Sequence, residues 1–377
     1  MIINNLKLKN YRNYKELDIK LSDKLNIFIG DNAQGKSNIL ESIVVLALTK
    51  SYMNVKDKCL INDEESYANI SAVVYFNKGI DNLFISFNDS VKKLKINNVE
   101  VKKYSDYISK IRFILFSPLD IGLIKDSPSS RRKYFNIEIS QLSNSYVKIL
   151  QKYNAVLKKR NQFLKTFNEL GSCNDYYLNV INDSLSSLAV DIIVQRRNFV
   201  NSLNEKLSDI FFEITGCEGL VLNYVSSIDI FDDKLKMKNA IINKFNDNFE
   251  RDKLYGMTMF GPHRDDYSFE LGGKDLSIYG SQGQNRLAIL ALKLAEIPIF
   301  KEITNDYPIL LLDDIFSELD LKKKNRLVKY ILNDFQTIIT TTDLNMIDKS
   351  LVDKAKIFRV NCGNVIVDDE KEGMQNE

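Results

Sequence analysis

Apolar and polar residues alternate from the first positions of the chain. Ile3, Leu6 and Leu8, then Leu17, Ile19 and Leu21, are separated by polar residues and predict two strands around the turn NYRNY at 10–14. Leu25, Ile27 and Ile29 make a third, short strand of mostly apolar content. From Asn38 the period lengthens. Ile39, Leu40, Ile43, Val44, Leu46 and Ala47 recur at helical spacing. Residues 70–76, 83–87 and 91–96 return to alternation, with NKGID and NDS as turn signals between them, and predict an antiparallel flap. IRFILF at 111–116 reads as an apolar strand.

The period changes again near Ser129. Tyr146, Leu150, Tyr153, Leu157, Leu164 and Phe167 lie on one helical stripe. Beyond a polar break at 171–175, Leu178, Ile181, Leu185, Leu188, Ile192, Phe199, Leu203, Leu207 and Phe211 lie on a second. Two long helices packed as an antiparallel hairpin satisfy both stripes, and the repeat is too short for a long coiled coil. A further helix is expected within 232–252. Strand character resumes at 267–271, a helix opens after SQGQ at 281–284, and PILLLDD (308–314) and FQTIITTT (335–342) read as buried strands. The order of elements is α/β, interrupted by a helical insertion. It predicts a discontinuous head over 1–122 and 255–367, a helical lobe over 123–254 and a flexible acidic tail over 368–377.

Composition narrows the class without naming a partner. Hydrophobic content of 44% and charged content of 27% are those of a soluble globular protein, and the net charge is only +2. Any surface for nucleic acid is therefore a local patch. No apolar run approaches the roughly 18 residues of a membrane span. The first residues, MIINNLKLKN, lack a signal-peptide pattern, so a cytoplasmic protein is expected. Cys59, Cys173, Cys217 and Cys362 are scattered, as reduced thiols are, and His263 is the sole histidine. That leaves no basis for a zinc site and little for a Ser-His-Asp triad.

The chemistry is carried by the junction between the third strand and its helix. Gly30, Asp31, Asn32, Ala33, Gln34, Gly35, Lys36, Ser37 and Asn38 spell a P-loop between strand and helix. Glycines allow the tight turn that points successive N–H groups at phosphates, above a helix N-terminus of partial positive charge. Lys36 would reach the β- and γ-phosphates and the Ser37 hydroxyl would ligate Mg²⁺. The expected cofactors are ATP and Mg²⁺. Asp313, ending the strand 309–312, fits the carboxylate that supports Mg²⁺, and Asp314 fits the group that polarises the attacking water. SQGQ resembles the signature motif of ABC-type ATPases, in which Ser281, Gly283 and Gln284 at a helix N-terminus would bind a γ-phosphate; alone it is also an ordinary helix cap. Ser317-Glu318-Leu319-Asp320 resembles the D-loop of the same ATPases. In that architecture two protomers sandwich the nucleotide, so an ATP-dependent homodimer is expected.

KNYRNY (9–14), GDNAQGKSNILES (30–42), FSPLD (116–120), PSSRRKYF (128–135), LKKRN (157–161), GPHRDD (261–266), SQGQNR (281–286), LKLAE (292–296) and LLLDDIFSELD (310–320) together resemble the RecF family of bacterial recombination mediators, over residues 2–367. The resemblance implies an SMC-type ATPase head with a short helical lobe in place of a long coiled coil. It also implies a weak ATPase that binds single-stranded, gapped and duplex DNA and acts with RecR and RecO to load RecA, in repair, replication restart and the SOS response. Ser37 stands where Thr is commoner; Met53 stands where Arg is frequent, so any charged contact made there is absent or moved; Asn136 stands where Asp is frequent, and no role is drawn from it. Arg131-Arg132 and Arg196-Arg197 are candidate DNA contacts, set against solvated helix faces. His263 reads either as a hydrogen-bonded turn residue or as part of a functional GPHRDD segment. Heads of transporters, of SMC-type proteins and of OLD-type nucleases are the alternatives. They would need, in turn, no helical lobe, much longer heptad arms, or a carboxylate-rich metal domain.

Overall fold

The computed structural model describes residues 1–170, 175–318, 324, 327–328, 331 and 335–368, in two compact units. Unit 1 comprises Met1–Ile121, Ile210–Cys217 and the chain from Ile289; unit 2 comprises Gly122–Asp209 and Glu218–Ala288.

In unit 1, β1 (Ile2–Tyr11) and β2 (Tyr14–Lys20) form a hairpin, followed by β3 (Leu25–Ile29) and α1 (Lys36–Leu48). Next come β4 (Tyr67–Phe76), β5 (Gly79–Asn88), β6 (Lys92–Ile96), β7 (Val99–Glu100), the single turn α2 (Tyr104–Tyr107) and β8 (Phe113–Phe116). The antiparallel sheet runs β2-β1-β4-β5-β6-β7, so the first hairpin and the predicted flap are one surface. Along β1, Leu6 and Leu8 are buried while Lys7 and Lys9 are exposed, the period-2 pattern of a sheet with one wet face.

β12 (Ile309–Asp313), β13 (Thr337–Thr341), β14 (Lys356–Asn361) and β15 (Asn364–Val367) complete a second sheet in the order β15-β14-β3-β13-β12-β8, parallel except for β15. β12 and β13 are buried at every position, which is why both read as unbroken apolar or β-branched runs. Helix α1 touches strands of both sheets, and Ile39, Leu40, Ile43, Val44, Val45 and Leu46 are all fully buried. A helix between two sheets is buried on every side, and from Ile39 onward α1 is apolar there except at Glu41 and Ser42. Gln336 joins the layers: its amide accepts from Ile3 N–H at 2.8 Å and donates to Ile3 O at 2.8 Å.

Unit 2 contains α3 (Pro128–Leu142), α4 (Asn144–Leu170), α5 (Asp175–Thr215), β9 (Leu220–Val225), α6 (Lys234–Asp247), α7 (Phe249–Tyr255), β10 (Asp266–Leu271), β11 (Lys274–Asp275), the short α8 (Leu276–Tyr279) and the first turns of α9 (Gln282–Thr304). The last residues of α5 and most of α9 count with unit 1. α4 and α5 are antiparallel, as expected. Ser143, just before α4, bonds Gln195, whereas Arg160 bonds Asn182 and Phe163 meets Tyr177. The unit differs from expectation in three ways. It lacks Ile210–Cys217, it reaches Ala288 rather than 254, and it is not wholly helical, because β10 pairs with β9 and carries 261–288 with it. The tail expected over 368–377 lies, beyond Asp368, outside the described residues, as does Cys173. One described helix, α5, has the composition of a membrane span, with a mean hydropathy of 1.2 in its best window. Its Leu185, Ala189, Ile192, Ile193 and Leu203 are buried in the protein.

Two buried guanidinium groups organise unit 2. Arg160 is fully buried and donates to Asp252 at 2.6 Å, to Asn182 at 2.8 Å and to Thr258 at 2.8 Å, with the Phe245 ring 4.7 Å from its carbon. Arg196 donates to Pro262 O at 2.6 Å, to Asn136 at 3.0 Å and to Tyr146 at 3.1 Å. Arg131 forms a bidentate pair with Asp266 at 2.7 and 2.8 Å, and Arg132 donates to Asp265 O at 2.6 Å. The expectation of DNA contacts is therefore corrected for Arg131 and Arg196, and so is its alternative of solvated faces. Both are buried and committed to the fold, while Arg197 bonds the exposed Asp232. Asn136, assigned nothing from sequence, accepts from both Arg196 and Tyr146.

GPHRDD is part of the same network. Asp265 accepts from Tyr224 and Ser227, and Asp266 from Arg131. His263 Nε2 faces Thr258 O at 3.0 Å, so it carries the proton, and Nδ1 accepts from the Tyr153 hydroxyl at 2.7 Å. Burial first, and then Arg264, Arg132 and Arg160, push its pKa down to about 4, against the hydrogen bond to Thr258.

A histidine that titrates at about 4 folded and near 6.5 unfolded stabilises the fold fully above pH 6.5. That contribution falls as the pH drops toward 4, at about 1.4 kcal/mol per pH unit. Between about pH 7 and pH 5, wild type should lose about 2 kcal/mol of unfolding free energy relative to His263→Gln. Denaturant titrations of both proteins measure this, and taking the difference cancels other groups such as Asp265. Parallel pH profiles would show that His263 does not titrate in this window.

Candidate nucleotide-binding site

The site sits where β3, β12 and β13 end side by side. Their register sets Asp313 beside Thr340 and Thr341 beside Ile29, so three carboxyl-terminal strand ends face one cavity. The cavity, of about 160 Å³, is lined by Asn32, Ala33, Gly35, Lys36, Ser37, Asn38, Asp313, Asp314 and Thr340. Gly30, Asp31 and Gln34 complete the loop without lining it.

The loop is held from outside by its own carbonyls. Asn13 Nδ2 donates to Gln34 O at 2.8 Å, Gly363 N–H donates to the same oxygen at 3.3 Å, and the Tyr14 hydroxyl donates to Gly35 O at 3.0 Å. The Gln34 side chain accepts from Cys362 N–H at 2.6 Å. Asn13 Oδ1 also accepts from Asn38 at 2.9 Å. Gly35 has φ +112 and a Cβ there would lie 2.3 Å from the Asn13 side chain; a Cβ on Gly363 would lie 2.3 Å from Asn13 O. Both positions need glycine. Lys36 is buried, and its ammonium donates to Gly30 O and Asp31 O at 2.7 Å each. Burial lowers its pKa, and Asp314, Asp313 and Asp31 pull it back up.

Asp313 is also buried and takes three hydroxyls. Ser37 donates to its Oδ1 at 2.7 Å, Thr340 to the same oxygen at 2.8 Å, and Tyr52 to Oδ2 at 3.0 Å. With the Ser37 proton committed to Asp313, the serine oxygen keeps its lone pairs for a cation. This donor set of hydroxyl and carboxylate oxygens fits Mg²⁺. Asp314 has φ 50, a left-handed conformation, and its N–H donates to Thr340 O at 3.2 Å and Oγ1 at 3.1 Å. Strain of this kind collects at functional sites.

Ser281 caps α9 in unit 2. Its hydroxyl accepts from Gln284 N–H at 3.2 Å and its own N–H donates to Gln284 Oε1 at 2.9 Å, a reciprocal capping box. Ser281, Gly283 and Gln284 are exposed, and nothing lies within 4 Å of where a Gly283 Cβ would be. The D-loop resemblance starts as a tight turn over Ile315–Glu318, and its Leu319 and Asp320 lie outside the described residues.

Asn13, Tyr14, Tyr52 and Thr340 have no assigned role in the sequence reading. NYRNY carries the clearest signal of them. Besides Asn13 and Tyr14, its Tyr11 and Arg12 bond the buried Glu41 of α1 at 2.8–2.9 Å. Tyr52 and Thr340 carry no local motif; only the fold brings them to Asp313.

Comparison with known proteins agrees with this geometry. The RecF/RecN/SMC N-terminal domain family matches residues 2–364. The DNA replication and repair protein RecF of Ligilactobacillus salivarius (strain UCC118) is 38% identical over 368 residues, covering 97% of each chain. The protein of that name from Staphylococcus aureus (strain JH9) is 38% identical over 370 residues, covering 97% of this chain and all of its own. A solved structure of the recombination mediator protein RecF with ATP, from the RecFOR pathway, superposes with a TM-score of 0.91 at 30% identity, covering 97% of each chain. An Smc head bound to the C-terminal winged-helix domain of ScpA, 17% identical with a TM-score of 0.56 over 99% of each chain, shares the fold alone. The chain therefore belongs to the RecF family of DNA replication and repair proteins.

Proposed function

We propose that this chain is an ATP-dependent recombination mediator whose unit 1 is an ABC-type ATPase head. The observation that carries the reading is the 2.7 Å bond from Ser37 of the P-loop to Asp313 at the end of β12. It joins the two halves of a nucleotide site from distant parts of the chain, and a relative of this family has been solved with ATP. In this reading the N–H groups of 30–38 cradle the phosphates, Lys36 contacts the β- and γ-phosphates, and Ser37 and Asp313 hold Mg²⁺. When bound, the ion neutralises charge developing on the phosphates. Asp314 orients the attacking water, and hydrolysis is slow.

Ser281, Gly283 and Gln284 of one copy close the site of a second copy. Two heads about a two-fold axis complete two such sites, because an isologous interface supplies each motif to the other chain. The capping box on α9 supports this reading, since Ser281, Gly283 and Gln284 are all exposed at a helix N-terminus. The protein works in the cytoplasm on gapped, single-stranded and duplex DNA, with RecR and RecO, to promote RecA loading. Repair, replication restart and SOS induction depend on that step.

Lys36→Ala should abolish tight ATP binding, because backbone donors do not replace a charge-assisted contact. Titration with a fluorescent ATP analogue measures it, and equal affinity would remove the P-loop assignment. Asp314→Asn should bind ATP as wild type does and hydrolyse it about one hundred-fold more slowly. Asp313→Asn should instead lose the Mg²⁺ dependence of binding. If the two phenotypes are exchanged, so are the roles.

Association should follow the nucleotide, since only the γ-phosphate bridges two heads. Light scattering should find mainly monomer without nucleotide or with ADP, and dimer with ATP. Ser281→Arg should bind ATP as a monomer and neither dimerise nor hydrolyse. Wild-type hydrolysis by Ser281→Arg alone would exclude the shared site.

A further inference from the structure

Tyr52 lies in the segment after α1 that also carries Ser51. The Ser51 hydroxyl donates to Glu41, the carboxylate held by Tyr11 and Arg12, and also accepts from Met53 N–H at 3.0 Å. Tyr52 packs against the core of unit 1 and aims its hydroxyl at Asp313 Oδ2, 3.0 Å away. The hydroxyl is the donor in this contact, since a carboxylate oxygen only accepts.

The acceptor arithmetic of Asp313 then matters. A carboxylate offers about four lone-pair positions, two on each oxygen. Ser37 and Thr340 occupy both on Oδ1, and Tyr52 occupies one on Oδ2. One acceptor position is left. Mg²⁺ dehydrates reluctantly and keeps several waters, so it is served by a carboxylate that accepts from one bound water. Ca²⁺ takes six to eight oxygens and favours direct, often bidentate, carboxylate ligation.

We propose that Tyr52 is a positioning residue that sets metal-ion selectivity, by holding Oδ2 of Asp313 so that the carboxylate meets a hydrated Mg²⁺ through one remaining acceptor and cannot chelate Ca²⁺. The proposal rests on the nucleotide reading above. Loss of the hydroxyl frees Oδ2 and releases the carboxylate to turn about the Ser37 and Thr340 bonds. Affinity then shifts from the smaller, hydrated ion toward the larger one.

Full-length wild type and Tyr52→Phe are compared with a fluorescent ATP analogue, titrating Mg²⁺ and Ca²⁺ separately. Half-saturation concentrations are read from nucleotide binding, not from turnover. Tyr52→Phe keeps the ring, so its unliganded melting temperature should fall by only a few degrees, the loss of one hydrogen bond. The ratio of the Mg²⁺ to the Ca²⁺ half-saturation concentration should rise about ten-fold, the lower range for outer-shell partners of a metal. An unchanged ratio in a variant that binds nucleotide overturns the role of Tyr52 and leaves the nucleotide site standing. Metal-independent nucleotide binding in wild type overturns the Mg²⁺ role of Ser37 and Asp313, no binding overturns the nucleotide reading, and either takes this inference with it. An equal loss of affinity for both ions also overturns selectivity, since it marks Tyr52 as generally structural.

Discussion

A phosphate-binding loop works only if its peptide planes face one way. N–H groups can point into the cavity when the carbonyls behind them are satisfied elsewhere, because a buried carbonyl without a donor is costly. Here Gln34 O takes Asn13 and Gly363, Gly35 O takes Tyr14, and Gly30 O and Asp31 O take Lys36. The donors come from the turn of the antiparallel sheet on one side and from the β14–β15 turn of the parallel sheet on the other. Both sheets, and α1 between them, thus serve one orientation of four peptide groups. The Lys36 contacts are those that a phosphate would replace.

What could be read in the sequence follows from the range of each interaction. The P-loop, the strand ending at Asp313 and the capping box at Ser281 are local, so their residues are adjacent in the chain and stand out. The long helices are legible because each buries one stripe. NYRNY is visible only as a turn, since its bonds to Gln34, Gly35 and Glu41 span 21 to 30 positions. β14 and β15 escape notice because Lys356, Arg359 and Asn361 interrupt a short apolar run. The arginine pairs mislead for the same reason of range: Asp266 lies 135 positions from Arg131, and Pro262 lies 66 from Arg196. Without those partners a charged pair looks like a surface feature.

Unit 2 accordingly has a core that is polar at its centre. Burying a guanidinium costs several kcal/mol unless its donors are met, and removing one partner of such a pair typically costs 3–5 kcal/mol. Arg160, through Nε and Nη1 but not Nη2, and Arg196 meet carboxylate, amide, hydroxyl and carbonyl acceptors from four or more segments. These bonds demand direction as well as proximity, so they select one arrangement of α4, α5 and the 258–266 segment. GPHRDD, which is specific to the family in sequence, is largely this network, and Arg160 and Asn161 of LKKRN join it.

The arrangement around Asn13 bears on how such a chain can change over time. Gly35 and Gly363 lie at opposite ends of the sequence, and each has room for hydrogen alone because the other's neighbour, Asn13, fills the space between them. A larger side chain at either glycine displaces Asn13 and with it the carbonyl of Gln34. A different residue at position 13 empties the seat beside Gly35, whereas Gly363 still meets the backbone carbonyl of whatever residue stands there. Positions 13 and 35 therefore form one inherited character rather than two, and Gly363 is bound to the turn independently of them. Lineages that drift freely elsewhere should carry Asn13 and Gly35 together.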